Sequence, residues 1–174
     1  MEGVADPGPP DTLVAEPLVP YPGGLQPLAS EAAAEDRRDV LCFTGAPLAE
    51  PLCIAGSPVV DVTTLCDRDA HDVVATLVLL DPAGEPRALS TGVRRLVTAP
   101  GEATRHRLTL RPVAWTCPVG SRLRLDVSGS RFPAFDRNPN ARSLPVAETH
   151  REQHLVATIE VLEGKLGLPI EVES

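Results

Sequence analysis

Arg122-Leu123-Arg124-Leu125-Asp126-Val127-Ser128 alternates charge and hydrocarbon residue by residue. A strand turns successive side chains to opposite faces, so this heptad reads as a half-buried β-strand, with Leu123, Leu125 and Val127 facing a core and the charges facing water. The same reading extends outward. Upstream, β-branched or Leu-rich segments lie near Val40–Thr44, Leu52–Ile54, Val59–Leu65, Val73–Leu80, Val93–Val97 and Arg105–Leu110. Downstream, Leu155–Leu162 repeats the alternation, with Leu155, Ala157, Ile159 and Val161 in one phase. Gly, Pro, Asp or Asn bound each segment, and Asp81-Pro82-Ala83-Gly84 closes the fourth as a turn. No stretch carries an amphipathic helical period. Short antiparallel strands in this number predict an all-β chain: a two-sheet antiparallel β-sandwich, folded as a jelly roll.

The flanks differ in composition. Residues 1–38, with Pro7-Gly8-Pro9-Pro10 and Pro20-Tyr21-Pro22-Gly23-Gly24, read as an extended, irregular lead-in, with one short helical turn within Ser30–Arg38. The sandwich is expected over 39–162, and 163–174 as an acidic tail. The length, 174 residues, suits one domain. Sixteen Lys and Arg against 24 Asp and Glu give a net charge of −8, which repels phosphate backbones and argues against nucleic acid as a partner. The N-terminus lacks the basic and apolar regions of a signal peptide, and no apolar run is long enough to cross a bilayer, so no membrane role and a cytoplasmic location are expected. Cys42, Cys53, Cys66 and Cys117 stand far apart without a Cys-x-x-Cys pair, and are expected to be reduced thiols that hold no metal.

Chemistry-bearing residues are sparse. No serine sits in a Gly-x-Ser-x-Gly elbow. His150 and His154 are four apart, but Glu152 is two residues from each, and on a strand the imidazoles would lie roughly 13 Å apart, too far to share a metal. His106 shares the inward phase of Leu108 and Leu110 and reads as a buried core histidine. Asp67-Arg68-Asp69-Ala70-His71-Asp72 reads as a solvated turn, since the Gly and closing Glu of a calcium loop are missing. No cofactor is expected. The aromatics Tyr21, Phe43, Trp115, Phe132 and Phe135 are few for sugar stacking.

The densest stretch follows the opening heptad: Ser128-Gly129-Ser130-Arg131-Phe132-Pro133-Ala134-Phe135-Asp136-Arg137-Asn138-Pro139-Asn140. Two phenylalanines can pin such a loop to the core. Asp136, beside Arg131 and Arg137, can form ion pairs and accept loop N–H groups. The loop then serves either as a structural lock or as an edge that presents Arg131 and Asp136 to a partner or cleft.

A strand Leu-Arg-Leu-x-Val-Ser-x-Ser followed by Phe-Pro-x-Phe-Asp-Arg-Asn-Pro-Asn closely resembles the C-terminal β-sandwich domain of the cocaine esterase and X-prolyl dipeptidyl peptidase (CocE/NonD) group of hydrolases. Asp39-Val40-Leu41-Cys42-Phe43-Thr44-Gly45-Ala46-Pro47-Leu48 is similar to that family's opening motif, and Leu52-Cys53-Ile54-Ala55-Gly56-Ser57-Pro58-Val59 to its next step, with one residue inserted. Asp72-Val73-Val74-Ala75-Thr76-Leu77, Gly84 and Gln153 fall in order. The resemblance implies a galactose-binding-like jelly roll that packs against an α/β-hydrolase domain, in cis or in trans, helps shape its cleft and often joins oligomer contacts. The family's catalytic triad lies in that preceding domain, and no residue here matches it. The family's usual ending is replaced by Ala157-Thr158-Ile159-Glu160-Val161 and the tail.

The resulting expectation is a non-catalytic domain that packs and associates, with a hydrolase domain or with itself as a dimer, through Arg131, Phe132, Phe135, Asp136, Arg137, Asn138 and Asn140. On that reading Asp136→Asn lowers stability and touches no reaction. The alternative is a stand-alone jelly roll reused as a small acid–base enzyme, for example in a biosynthetic pathway. It would have a cavity between the sheets and Asp136, Arg131, His150 or Glu148 as its working groups. A module for a small-molecule or sugar ligand is a third.

Overall fold

The computed structural model describes residues 11–23, 34–142 and 153–170. Two four-stranded antiparallel sheets face each other. One orders β1 (Asp11–Ala15), β12 (Ala157–Gly167), β5 (Val59–Cys66) and β8 (Thr104–Thr109). The other orders β3 (Val40–Thr44), β10 (Arg122–Ser128), β6 (Ala70–Leu80) and β7 (Pro86–Val97). Two ribbons extend them: β4 (Leu52–Gly56) pairs with β9 (Val113–Cys117), and β2 (Pro22–Gly23) lies parallel to β11 (Phe132–Pro133). Apart from the β6–β7 hairpin, neighbours in the two main sheets are distant in sequence, so the chain crosses repeatedly between sheets, as in a jelly roll.

The core forms where the apolar phases meet. Leu13, Ile159, Val60, Val62 and Leu108 of the first sheet pack with Val73, Ala75, Leu77 and Val127 of the second. Full burial of such a side chain stabilises by about 1.5–3 kcal/mol.

The structure departs from the sequence reading in four places. β1 lies inside the lead-in: Leu13 and Ala15 bury against β12, so a short alternating segment earns its strand from tertiary packing despite Pro-rich surroundings. β12 continues to Gly167, past the expected boundary, because Gly164 to Gly167 still pair with β5. β6 begins at Ala70, so His71 and Asp72 belong to a strand and are buried, and the solvated turn is confined to residues 67–69. Two of the three charges of β10 do not face water: Arg124 and Asp126 are each 2% exposed and pair at 2.7 Å, while Arg122 is exposed. Alternation separates two faces of a strand, but here the outer face is also covered. Tyr21, Ala34 and Val40 form a second small cluster, with Cys42 packed against it. The helical turn is a single 3-10 turn at Ala34–Asp36.

Candidate functional site

The loop leaving β10 crosses the end of the sandwich and is tied down at almost every step. Gly129 lets the backbone press against β1: a Cβ there would sit 2.4 Å from that of Ala15. Ser128 Oγ donates to the Ser130 carbonyl at 2.8 Å, and the Tyr21 N–H donates to Ser130 Oγ at 2.9 Å. The Phe132 N–H then donates to the Tyr21 carbonyl, which brings β11 beside β2. The Phe132–Pro133 bond is cis, and the Phe135 N–H donates to the Arg131 carbonyl at 2.9 Å.

The two asparagines carry most of the locking. Asn138 is buried and donates through Nδ2 to Asp72 Oδ1 at 2.7 Å, while its own Oδ1 accepts the Asn140 N–H at 2.9 Å. Asn140 has φ of 59°, a left-handed conformation that Asn tolerates better than most residues. From there its Nδ2 donates to the carbonyls of Ala15 and Leu155, at 3.2 and 2.8 Å. One side chain thereby joins the end of β1 to the segment that enters β12. Asp72 in turn accepts a two-pronged bond from Arg95, both contacts at 2.9 Å. That bond to Asp72 holds the Arg95 guanidinium protonated above its ordinary range. Arg95 also donates to the Asp136 carbonyl at 3.1 Å.

The remaining candidates separate into a buried set and a rim. Arg131 is 1% exposed, with its guanidinium carbon 5.7 Å from the centre of the Tyr21 ring. It lies near enough to Asp126 to favour that carboxylate, whose proton affinity is nonetheless pushed up by burial against the pull of Arg124 and the Cys42 thiol. Phe132 and Asp136 are exposed, and Phe135 and Arg137 half-buried. The Arg137 guanidinium lies 4.7 Å from the Phe132 ring and that of Arg111 5.6 Å from the Phe135 ring, so the rim is a cation–aromatic surface. Arg131 and Asp136, expected side by side, are thus divided between interior and surface. Glu148 and His150 lie outside the described residues.

Sequence reasoning missed the loop's anchors, Asp72, Arg95 and Tyr21. A charged Asp in phase with Val74 and Val78 on a mostly apolar strand was the available signal. None of the four cysteines forms a disulfide: Cys66 and Cys117 are buried, Cys42 and Cys53 half-buried. Burial pushes the thiols of Cys66 and Cys117 up, away from the reactive thiolate. Among the described residues no helix is long and apolar enough to cross a membrane, and no three His, Cys, Asp or Glu side chains converge as metal ligands would.

A second feature opens between the sheets, a cleft of about 390 Å³ walled by Phe43, Val60, Val62, Leu125, Val127 and Val161. Its lining is mainly hydrocarbon, with two acids, Asp11 and Glu163, also on its wall.

The family described as X-Pro dipeptidyl-peptidase C-terminal non-catalytic domain matches residues 4–162. The cocaine esterase of Rhodococcus sp. (strain MB1 Bresler) is 25% identical over 173 aligned residues, covering 88% of this chain and 30% of the esterase. The chain therefore spans about a third of that relative. Among solved structures, an aminopeptidase from a marine sediment Thaumarchaeota archaeon superposes with a TM-score of 0.81 at 24% identity, covering 97% of this chain and 34% of that one. An α-amino acid ester hydrolase superposes with a TM-score of 0.78 at 23% identity, over 93% and 32% of the two chains. A CocE/NonD family hydrolase from Staphylococcus aureus gives 0.60 at 14%, over 95% and 33%. The structures share the fold.

Proposed function

Because the chain belongs to the X-Pro dipeptidyl-peptidase C-terminal non-catalytic domain family, we propose that it works by packing: the sandwich docks on an α/β-hydrolase domain, in cis or in trans, and the loop after β10 fixes the shape of the docking edge. The observation that supports this most is how the loop uses its polar groups. Asn138, Asn140 and Arg131 are turned inward on Asp72, Ala15, Leu155 and Tyr21, which holds Phe132, Phe135, Asp136 and Arg137 outward as a rigid rim. A pre-formed rim loses little conformational entropy on association.

The acid–base reading is less favoured. Arg131 cannot give up its proton, it is buried while Asp136 is exposed, and neither of them lines the cleft between the sheets. A dimer through the same rim is the second form that packing could take. Four cysteines outside any disulfide suit a reducing, cytoplasmic setting.

The test is cross-linking mass spectrometry on native lysate of the source cells, with an antibody against this domain. Links from the 132–137 rim to an α/β-hydrolase domain, on the same polypeptide or another, are the expected result. Hydrolysis of p-nitrophenyl esters or X-Pro anilides by the 174-residue chain itself, lost in Asp136→Asn, would overturn it.

A further inference from the structure

The cleft between the sheets has a structural origin. β1 pairs with β12 from Ala15↔Ala157 to Asp11↔Val161. Beyond Val161 the register of β12 against β5 slips by one residue, a bulge that leaves Leu162 unpaired in the ladder, and among the described residues no strand covers the other edge of β12 from there to Gly167. Across the gap, the end of β3 offers Phe43, followed by Gly45. The two inner faces therefore part instead of closing, with Phe43 39% and Leu162 38% exposed at the mouth while Val60, Val62 and Val127 form a buried floor. Bulges concentrate where a sheet edge is adapted to a site. The space, about 390 Å³, falls within the range of small-molecule pockets.

One residue at the lip breaks the apolar phase. β1 places Asp11, Leu13 and Ala15 on its inward face, and Asp11 stands opposite Val161, whose side chain lines the cleft. Continuing the phase with hydrocarbon would extend the core; a carboxylate there puts a negative charge where an apolar ligand's head group would emerge. Glu163 also lines the cleft, but its carboxylate accepts from Thr63 Oγ1, a residue in the outward phase of β5, which leaves Asp11 as the acid in the inward phase. The net charge of −8 reinforces the preference for a cation.

We propose that this cleft binds a small amphipathic cation, an arylalkyl or alkyl ammonium whose hydrocarbon body enters between Phe43, Leu125 and Val62 and whose ammonium meets Asp11 at the mouth. The site is on a different edge of the sandwich from the rim and does not depend on the packing role.

The full chain is titrated with 2-phenylethylammonium and, as neutral isostere, 2-phenylethanol, followed by methyl NMR shifts of the Val and Leu residues. Saturable shifts at Val62, Leu125 and Val127 are expected for both, with the amine about two- to fivefold tighter at low salt and the advantage fading as salt rises. Asp11→Asn, an exposed change that leaves the fold intact, brings amine and alcohol to equal affinity. Leu125→Trp fills the cleft and removes binding of both; its thermal transition shows whether it has folded, and Asp11→Asn decides the matter if it has not. Equal affinity of the two probes in the unmodified chain, shifts that map elsewhere, or no saturation would each overturn the proposal. Binding that appears only after residues 1–10 are deleted would overturn it too, by making that segment the occupant.

Discussion

His71 and His106 face each other across the core, ring centroids 6.4 Å apart and planes at 74°, and both are buried. Neither ring nitrogen of His71 has a hydrogen-bond partner among the described residues. Burial drives its pKa down from 6.5 to about 4, helped by His106 and opposed by Asp72, and burial together with Arg94 lowers His106. His71 is therefore neutral when folded and takes up a proton on unfolding below pH 6.5. A base with a depressed folded pKa leaves stability intact above 6.5, drains it as the pH falls from 6.5 towards 4, and costs nothing further below that. For 6.5 and about 4 the linkage gives a loss of about 1.4 kcal/mol by pH 5.5 and about 2.5 kcal/mol by pH 4.5. His71→Phe keeps a ring in the site and removes the titration. Guanidinium unfolding of both proteins, followed by circular dichroism at pH 7.5, 6.5, 5.5 and 4.5, measures the difference, in which the shared carboxylates cancel. Overpacking by the larger ring adds an offset that does not vary with pH, so the slope is the readout. A gap between the two proteins that stays constant from pH 7.5 to 4.5 would refute the reasoning.

Three further outcomes concern the loop. Asn138→Ala removes the bond to Asp72 and strands the buried Asn140 N–H; a loss of about 2–4 kcal/mol is expected, seen as a fall in Tm, and an unchanged Tm would mean the lock carries no weight. Asp136→Asn is expected to stay within about 0.5 kcal/mol of the parent in the same melts, against the sequence expectation, because the carboxylate is exposed and the contact to Arg95 runs through its backbone carbonyl. Gly129→Ala should cost about 1–3 kcal/mol through its clash with the Ala15 methyl, and pairing it with Ala15→Gly should recover much of that in a double-mutant cycle; no recovery would place the strain elsewhere.

How much of this was legible depends on what alternation encodes. Strong two-residue periods located β5, β10 and most of β12, because valine and leucine in one phase have few other ways to be buried. β9 escaped because Val113–Cys117 is five residues between two prolines, and β1 because its surroundings are Pro-rich. Arg124 and Asp126 were misread for a deeper reason: a period of two says that the faces differ, not that one of them is wet. The site divides likewise. The loop's importance showed in its density of Phe, Asn and Asp, whereas its anchors Asp72 and Arg95 lie on strands far away in sequence, where only the fold brings them together. The cleft left one trace, the carboxylate of Asp11 in an apolar phase.

The place of β12 in its sheet has a consequence for synthesis. It is the last of the described strands to leave the ribosome, yet it sits between β1 and β5. The sheet of β3, β10, β6 and β7 is fully made by Ser128 and can form first, with its apolar inner face uncovered. Until residues 157–167 arrive, β1 has no strand to pair with and β5 lacks one of its two, so the nascent chain passes through a stage that is half a sandwich. Pairings this distant in sequence close slowly, and exposed apolar sheet invites association with other chains. A molecule truncated before Ala157 should carry that stage as its permanent state, and its partition between soluble and pelleted fractions reports how far the sandwich relies on its final strand.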